Sequence, residues 1–152
     1  MDLRAILKAL KFGTLVPPQL KNNGDLAGNT YFDRLGLSGL LVLFITGTTD
    51  AALGSTAETT PPLLEECNTT DGTYTAITSA ALATVIAAGD DDTLRGIFVD
   101  GSKSKKRYVR IQAPHSANGT TGDNFCAIAI GFPSDQFPKN AAGMGLAELI
   151  EA

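Results

Sequence analysis

Lys103–Ile111, KSKKRYVRI, is a basic turn running straight into a strand. Upstream stands Asp90–Asp100, DDDTLRGIFVD; downstream, past a polar loop, comes Phe125–Pro133, FCAIAIGFP. Acidic and basic turns punctuate three runs rich in β-branched and aromatic residues, which predicts three consecutive antiparallel strands. The alternation in RYVRI puts Arg107, Val109 and Ile111 on one face and Tyr108 and Arg110 on the other. One face is thereby marked for a core.

Working outward, the same grammar recurs. LSGLLVLFIT, Leu37–Thr46, is a continuous apolar run short enough for a buried central strand. LLEEC, Leu63–Cys67, and TYTAI, Thr73–Ile77, flank an Asp71-Gly72 turn and predict a hairpin. LATVIAA, Leu82–Ala88, suits strand or helix, its β-branched residues leaning to strand. GTTDAALGSTAETTPP is a polar loop, long for one domain and therefore mobile or held by a partner. About six to eight short strands with Gly-, Asp- and Asn-rich turns predict an all-β domain, an antiparallel β-sandwich or jelly roll, over residues 31–138.

The flanks read differently. Leu3, Ile6, Leu7 and Leu10 fall at helical spacing and Gly13 ends the pattern, predicting a short N-terminal helical arm. Its apolar stripe must dock, either on its own domain or on a neighbouring subunit. Thr14–Thr30, with Pro17-Pro18 and Asn23-Gly24, reads as an extended connector, so residues 1–30 form an arm. In residues 139–152, Leu146, Leu149 and Ile150 with Glu148 and Glu151 predict a short helical tail.

The 152 residues suit one domain, and 43% hydrophobic with 18% charged content is ordinary for a globular chain. A net charge of −4 argues against a dedicated nucleic-acid binder. No apolar run approaches the roughly 20 residues of a membrane helix, and charges at Asp2, Arg4, Lys8 and Lys11 interrupt any signal-peptide core, which points to cytoplasmic synthesis. Cys67 and Cys126 read as two thiols buried in strands.

No catalytic or cofactor signature accompanies the strands. His115 is the sole histidine, in a polar loop without a nucleophile elbow, and Asp90, Asp91 and Asp92 lack the alternation of a calcium loop, so neither catalysis nor a metal is expected. The strongest charge feature is Lys103, Lys105, Lys106, Arg107 and Arg110. It is a solvated turn or a surface pairing with carboxylates of a partner protein; nucleic acid is the third reading, short of aromatics beyond Tyr108.

The order of these motifs is familiar. FDRLGLSGLLVLFITG, then LLEECNTTDGTYTAI, then DDDTLRGIFVDGSKSKKRYVRI and finally AIAIGFP resembles small structural proteins of tailed bacteriophages, the capsid decoration or cement proteins. The resemblance spans Tyr31–Pro138, and Cys67-Asn68 stands where that family usually has a polar Ser-Asp pair. It implies a non-enzymatic virion protein on the capsid exterior. Its partner would be the major capsid protein, and it would self-associate as a dimer or trimer. Another phage structural role, in a head fibre, a head–tail joint or a tail, remains open. So does a glycan- or receptor-binding sandwich, although the chain has no Trp and only Tyr31, Tyr74 and Tyr108 as tyrosines.

Overall fold

The computed structural model describes residues 10–21, 24–25, 30–50, 53–54, 61–101, 106–112, 115–116, 122–133 and 149–151. They form β-strands, and no helix occurs among them. The organising element is β4, Gly39–Thr46, the continuous apolar run. Leu40, Val42 and Phe44 are fully buried on one face, while Leu41, Leu43 and Ile45 point to the other. β11, Asp123–Phe132, pairs with it along one side and β8, Leu94–Asp100, along the other, both antiparallel. β1, Lys11–Lys21, lies outside β11, and β12, Leu149–Glu151, outside β8, completing five strands.

A second sheet of four strands runs β3-β9-β6-β7: Tyr31–Asp33, Tyr108–Ile111, Leu63–Cys67 and Thr75–Ala81. One hydrophobic cluster takes side chains from both sheets, among them Val42, Phe44, Ile97 and Ala127 from the first and Phe32, Leu64, Val109 and Ile111 from the second. The alternation expected in RYVRI holds over Tyr108–Ile111, with Val109 and Ile111 fully buried and Tyr108 and Arg110 half-buried, whereas Arg107, expected on the inward face, precedes the strand and is exposed. Three two-residue strands, β2 (Gly24–Asp25), β10 (His115–Ser116) and β5 (Leu53–Gly54), make a small ladder from the segments that follow β1, β9 and β4.

Strand order differs from a meander. Taking the eight longer antiparallel strands in chain order, the larger sheet reads first, eighth, third, sixth, and the smaller second, seventh, fourth, fifth. Apart from the β6–β7 pair, consecutive strands therefore change sheets, and β8 and β9 are not a hairpin: β8 pairs with β4, and β9 with β3 and β6. The β8–β4 ladder continues to Gly101, whose N–H donates to the Ser38 carbonyl. A Cβ at Gly101 would sit 2.3 Å from that oxygen, so only glycine lets the chain leave β8 this close to the start of β4. The β6–β7 hairpin is as expected, with an irregularity between Leu63 and Glu65 and with β7 reaching Ala81.

Three further segments depart from expectation. Residues read as a connector are extended but paired: β1 runs along β11, with Leu15 and Val16 fully buried. Pro17 and Pro18 fall in the register shift between Val16 and Gln19, on an edge strand where a missing N–H is tolerated. LATVIAA is neither a long strand nor a helix; its Leu82 and Ile86 plug the core from a mostly irregular segment. Of the expected helical tail, Leu149–Glu151 is a strand parallel to β8, covering that sheet edge, because an isolated turn of helix is too short to hold. Leu146 and Glu148 lie outside the described residues, as do Leu3, Ile6 and Leu7 of the arm.

Candidate interaction surfaces

Two sheets sharing a core leave two outer faces, and these differ in chemistry. On the five-stranded sheet the outward positions of β4 face outward positions of its neighbours: Leu41 lies between Ile130 and Phe98, and Ile45 between Cys126 and Leu94. Leu41, Phe98 and Phe132 form a second buried cluster, with Leu10, Leu43, Leu94 and Ile130 packed against it. Phe98 and Phe132 meet edge to face with ring centroids 6.3 Å apart. Phe12, opposite Ile130, is 62% exposed, and Ile45 is 37% exposed. An antiparallel sheet with a solvated outer face alternates apolar and polar residues; this one is apolar on both sides. Leu10, one of the arm residues expected to make contacts, packs on this outer cluster.

The four-stranded sheet presents a polar, aromatic face. Tyr31, Tyr74 and Tyr108, scattered in sequence, converge there. Tyr31 and Tyr108 are T-shaped at 5.1 Å, Arg107 lies over Tyr108 at 5.0 Å, and Arg110 over Tyr74 at 4.0 Å. The cations of the basic turn find carboxylates within the chain. Arg107 Nε and Nη2 donate to Asp33 Oδ1 and Oδ2 at 3.0 and 2.8 Å, and Arg110 Nε donates to Glu65 Oε2 at 3.0 Å. Lys106 Nζ donates to Thr75 Oγ1, and its backbone N–H to Glu66 Oε2. Lys103 and Lys105 lie outside the described residues.

The Arg107–Asp33 fork has a testable pH signature. Hydrogen bonding from Arg107, and next from the Leu35 N–H, holds the Asp33 carboxyl well below its ordinary value of 3.8. The folded chain therefore binds this proton less readily than the unfolded chain, and the resulting stability is present above that value and lost as pH falls through and below it. The gap in unfolding free energy between wild type and Asp33→Asn is expected to stay constant from about pH 7 to pH 5 and to narrow toward about pH 3. Urea titrations at each pH measure it.

At the opposite end of the sheets, the acidic turn ties loops together. Asp91 Oδ1 accepts from the Thr49 N–H at 2.7 Å and from the Thr49 hydroxyl at 3.1 Å. Asp90 Oδ2 accepts from the Ala87 N–H and from Arg95 Nη2 at 2.9 Å. Fully buried Asp123 accepts from the Asp50 N–H. Asp92 adopts a left-handed φ of 53°, which closes the turn. These carboxylates work as loop braces. Cys67 is buried in β6 and Cys126 half-buried in β11; both are free thiols. The backbone of His115 belongs to β10.

Two features escaped the sequence reading. The tyrosine cluster depends on pairings between β3, β9 and β6, which no local spacing encodes. The other is Arg34, 7% exposed, in the FDRLG turn that precedes β4. A buried Arg leaves no mark in composition, because its burial is decided by the distant strands around it.

No family model matches the chain, and no curated protein matches it. Among solved structures, the chain is similar to one in the "Structure of infectious bursal disease virus Gx strain", with 16% identity and a TM-score of 0.38. That likeness covers 85% of this chain and 34% of the other, so this chain spans about a third of its neighbour's length.

Proposed function

We propose that this chain is a structural protein of a tailed-phage virion that binds the outside of the capsid and stabilises it, a decoration or cement protein without enzymatic activity. The observation that carries the reading is the strand order. First, eighth, third, sixth against second, seventh, fourth, fifth is the jelly-roll arrangement of two sheets, an architecture shared by viral capsid domains and lectins. The motif order from Tyr31 to Pro138 supports the phage assignment, and the apolar outer face supports a chain whose work is contact. Shell proteins gain strength by repetition: modest interfaces repeated over a closed lattice add through avidity.

Quantitative mass spectrometry of gradient-purified virions tests this. Occupancy on the order of hundreds of copies per particle is expected, as repetition over a symmetric shell requires. About a dozen copies would instead place the chain at a head–tail joint. Absence from virions, with binding of the isolated protein to a glycan array, would replace the reading with a lectin-type one.

A further inference from the structure

The outer face of the five-stranded sheet is open in one part and closed in another. Ile45, near the end of β4, is 37% exposed, and Phe12 and Leu20 on β1 are more exposed still. Leu41, on the same side of β4, is 4% exposed, and Phe98 and Phe132, clustered with it, are each 7% exposed. The described residues packed on this trio are Leu10, Leu43, Leu94 and Ile130. Leu43, Leu94 and Ile130 belong to the sheet itself. Neighbours within one layer screen a side chain from the sides and leave its outer end in water. The edge-to-face contact of Phe98 with Phe132 likewise closes one side of each ring. Burial this deep requires atoms stacked above the layer, and Leu10 is the member of the described set that comes from outside the strands.

Two segments start beside this corner, and both lie outside the described residues. Residues 134–148 follow Pro133 on the way from β11 to β12; their large apolar members are Phe137, Met144 and Leu146, with the helix breakers Pro138, Gly143 and Gly145 among them. Residues 1–9 run straight into Leu10 and carry Leu3, Ile6 and Leu7. On a helix these three and Leu10 fall within an arc of about 100°, the width of a stripe that faces a core, and Arg4 and Lys8 lie off it. Length fits as well. The rise from Leu3 to Leu10 in a helix is about 10 Å, which matches two strand spacings of about 4.8 Å. That carries the stripe from Leu10 at β1 across β11 to β4, where Leu41 stands.

We propose that residues 1–9 form an amphipathic helix lying across the outer face of their own domain, with Leu3, Ile6 and Leu7 sealing Leu41, Phe98 and Phe132. A helix this short does not persist alone, and the sheet supplies the apolar surface it lacks. The arm thereby divides the outer face. The corner beneath it is closed to partners, and Phe12, Leu20 and Ile45 are left as apolar surface available for contact. The proposal concerns the isolated chain and does not rest on the virion reading.

The experiment is NOE spectroscopy on the full-length protein with Ile and Leu methyls and Phe rings labelled. Cross-peaks are expected from the Ile6 and Leu7 methyls to the Phe98 ring or the Leu41 methyls. They should survive dilution with excess deuterated chain, as contacts within one chain do. Cross-peaks lost on that dilution would give the cover to a second copy. Cross-peaks to Phe98 from Phe137 or Leu146, in place of Ile6 and Leu7, would give it to the segment between β11 and β12. Either result overturns the proposal, as does a Phe98 ring without contacts beyond its own sheet. Stability supplies a second readout. Ile6→Asp should lower the melting temperature by roughly 4–8 °C, the shift expected when one buried aliphatic side chain is lost from a chain of this length. Arg4→Gln, off the stripe, should leave it in place. An unchanged melting temperature for Ile6→Asp also overturns the proposal, and each of these results leaves the copy number in virions as a separate question.

Discussion

Replacing Phe32 with alanine is expected to destabilise the fold by about 3–5 kcal/mol, a large part of the 5–15 kcal/mol typical of a domain. Phe32 is 4% exposed, and it is the side chain through which β3 reaches across to the larger sheet. Its ring lies against the backbones of β1 and β11 where both carry glycine: a Cβ at Gly13 would stand 2.8 Å from Phe32 Cδ2, and one at Gly131 would stand 3.1 Å from Phe32 Cζ. Gly13 admits the ring alone, and Gly131 admits it together with Leu37, whose Cδ1 would stand still closer to a Cβ there. Gly13→Ala alone is accordingly expected to cost about 1–3 kcal/mol by overpacking. In the Phe32→Ala background the same substitution meets open space, and its cost should vanish. Chemical denaturation of the four proteins measures this coupling. Additive effects would mean that the ring can move aside, and that another contact joins the two sheets.

What was legible in the sequence follows the range of the forces involved. The GLLVLFIT run announced a central strand because burial on both faces leaves no polar positions. YVRI announced its inward face because alternation is local. Sheet membership was not legible. β8, the basic turn and β9 carry the chemistry of a hairpin, yet the two strands belong to different sheets, because each pairs with strands distant in sequence, β8 with β4 and β9 with β3 and β6. β1 was hidden for a related cause. Pro17-Pro18 is a breaker in isolation but acceptable at a bulge on an edge, and edge position is a property of the whole sheet. The sequence shows the basic cluster as a solvated turn or a surface for a partner's carboxylates; it does not show that Arg107 and Arg110 hold Asp33 and Glu65 from adjoining strands. Arg34, whose Nε and Nη1 lack a hydrogen-bond partner among the described residues, lies in a turn that enters the sequence reading only as part of the motif order. Charge runs are visible in a sequence; charge pairing is not.

The outer face of the five-stranded sheet gives the second large effect. Phe12 and Leu20 on β1 and Ile45 on β4 are exposed apolar members of it, on either side of the half-buried row of Cys126, Ile128 and Ile130 on β11. The double variant Phe12→Glu, Ile45→Lys should leave the isolated protein folded, since exposed substitutions usually change stability by less than about 0.5 kcal/mol. On a shell the outcome differs. Each charge would be trapped in an apolar contact without a partner, at about 1–3 kcal/mol apiece. At 1.4 kcal/mol per factor of ten, the pair should reduce shell binding by on the order of 100-fold. The matched control is Thr78→Lys, which adds a charge at an exposed position of β7 on the other sheet. Binding of each variant to purified undecorated capsids, read by co-sedimentation, separates the two faces. Loss with the double variant and retention with Thr78→Lys assigns the apolar face to the shell. The reverse pattern would turn the tyrosine- and arginine-bearing sheet toward the shell, and the apolar face would then need a cover other than the capsid.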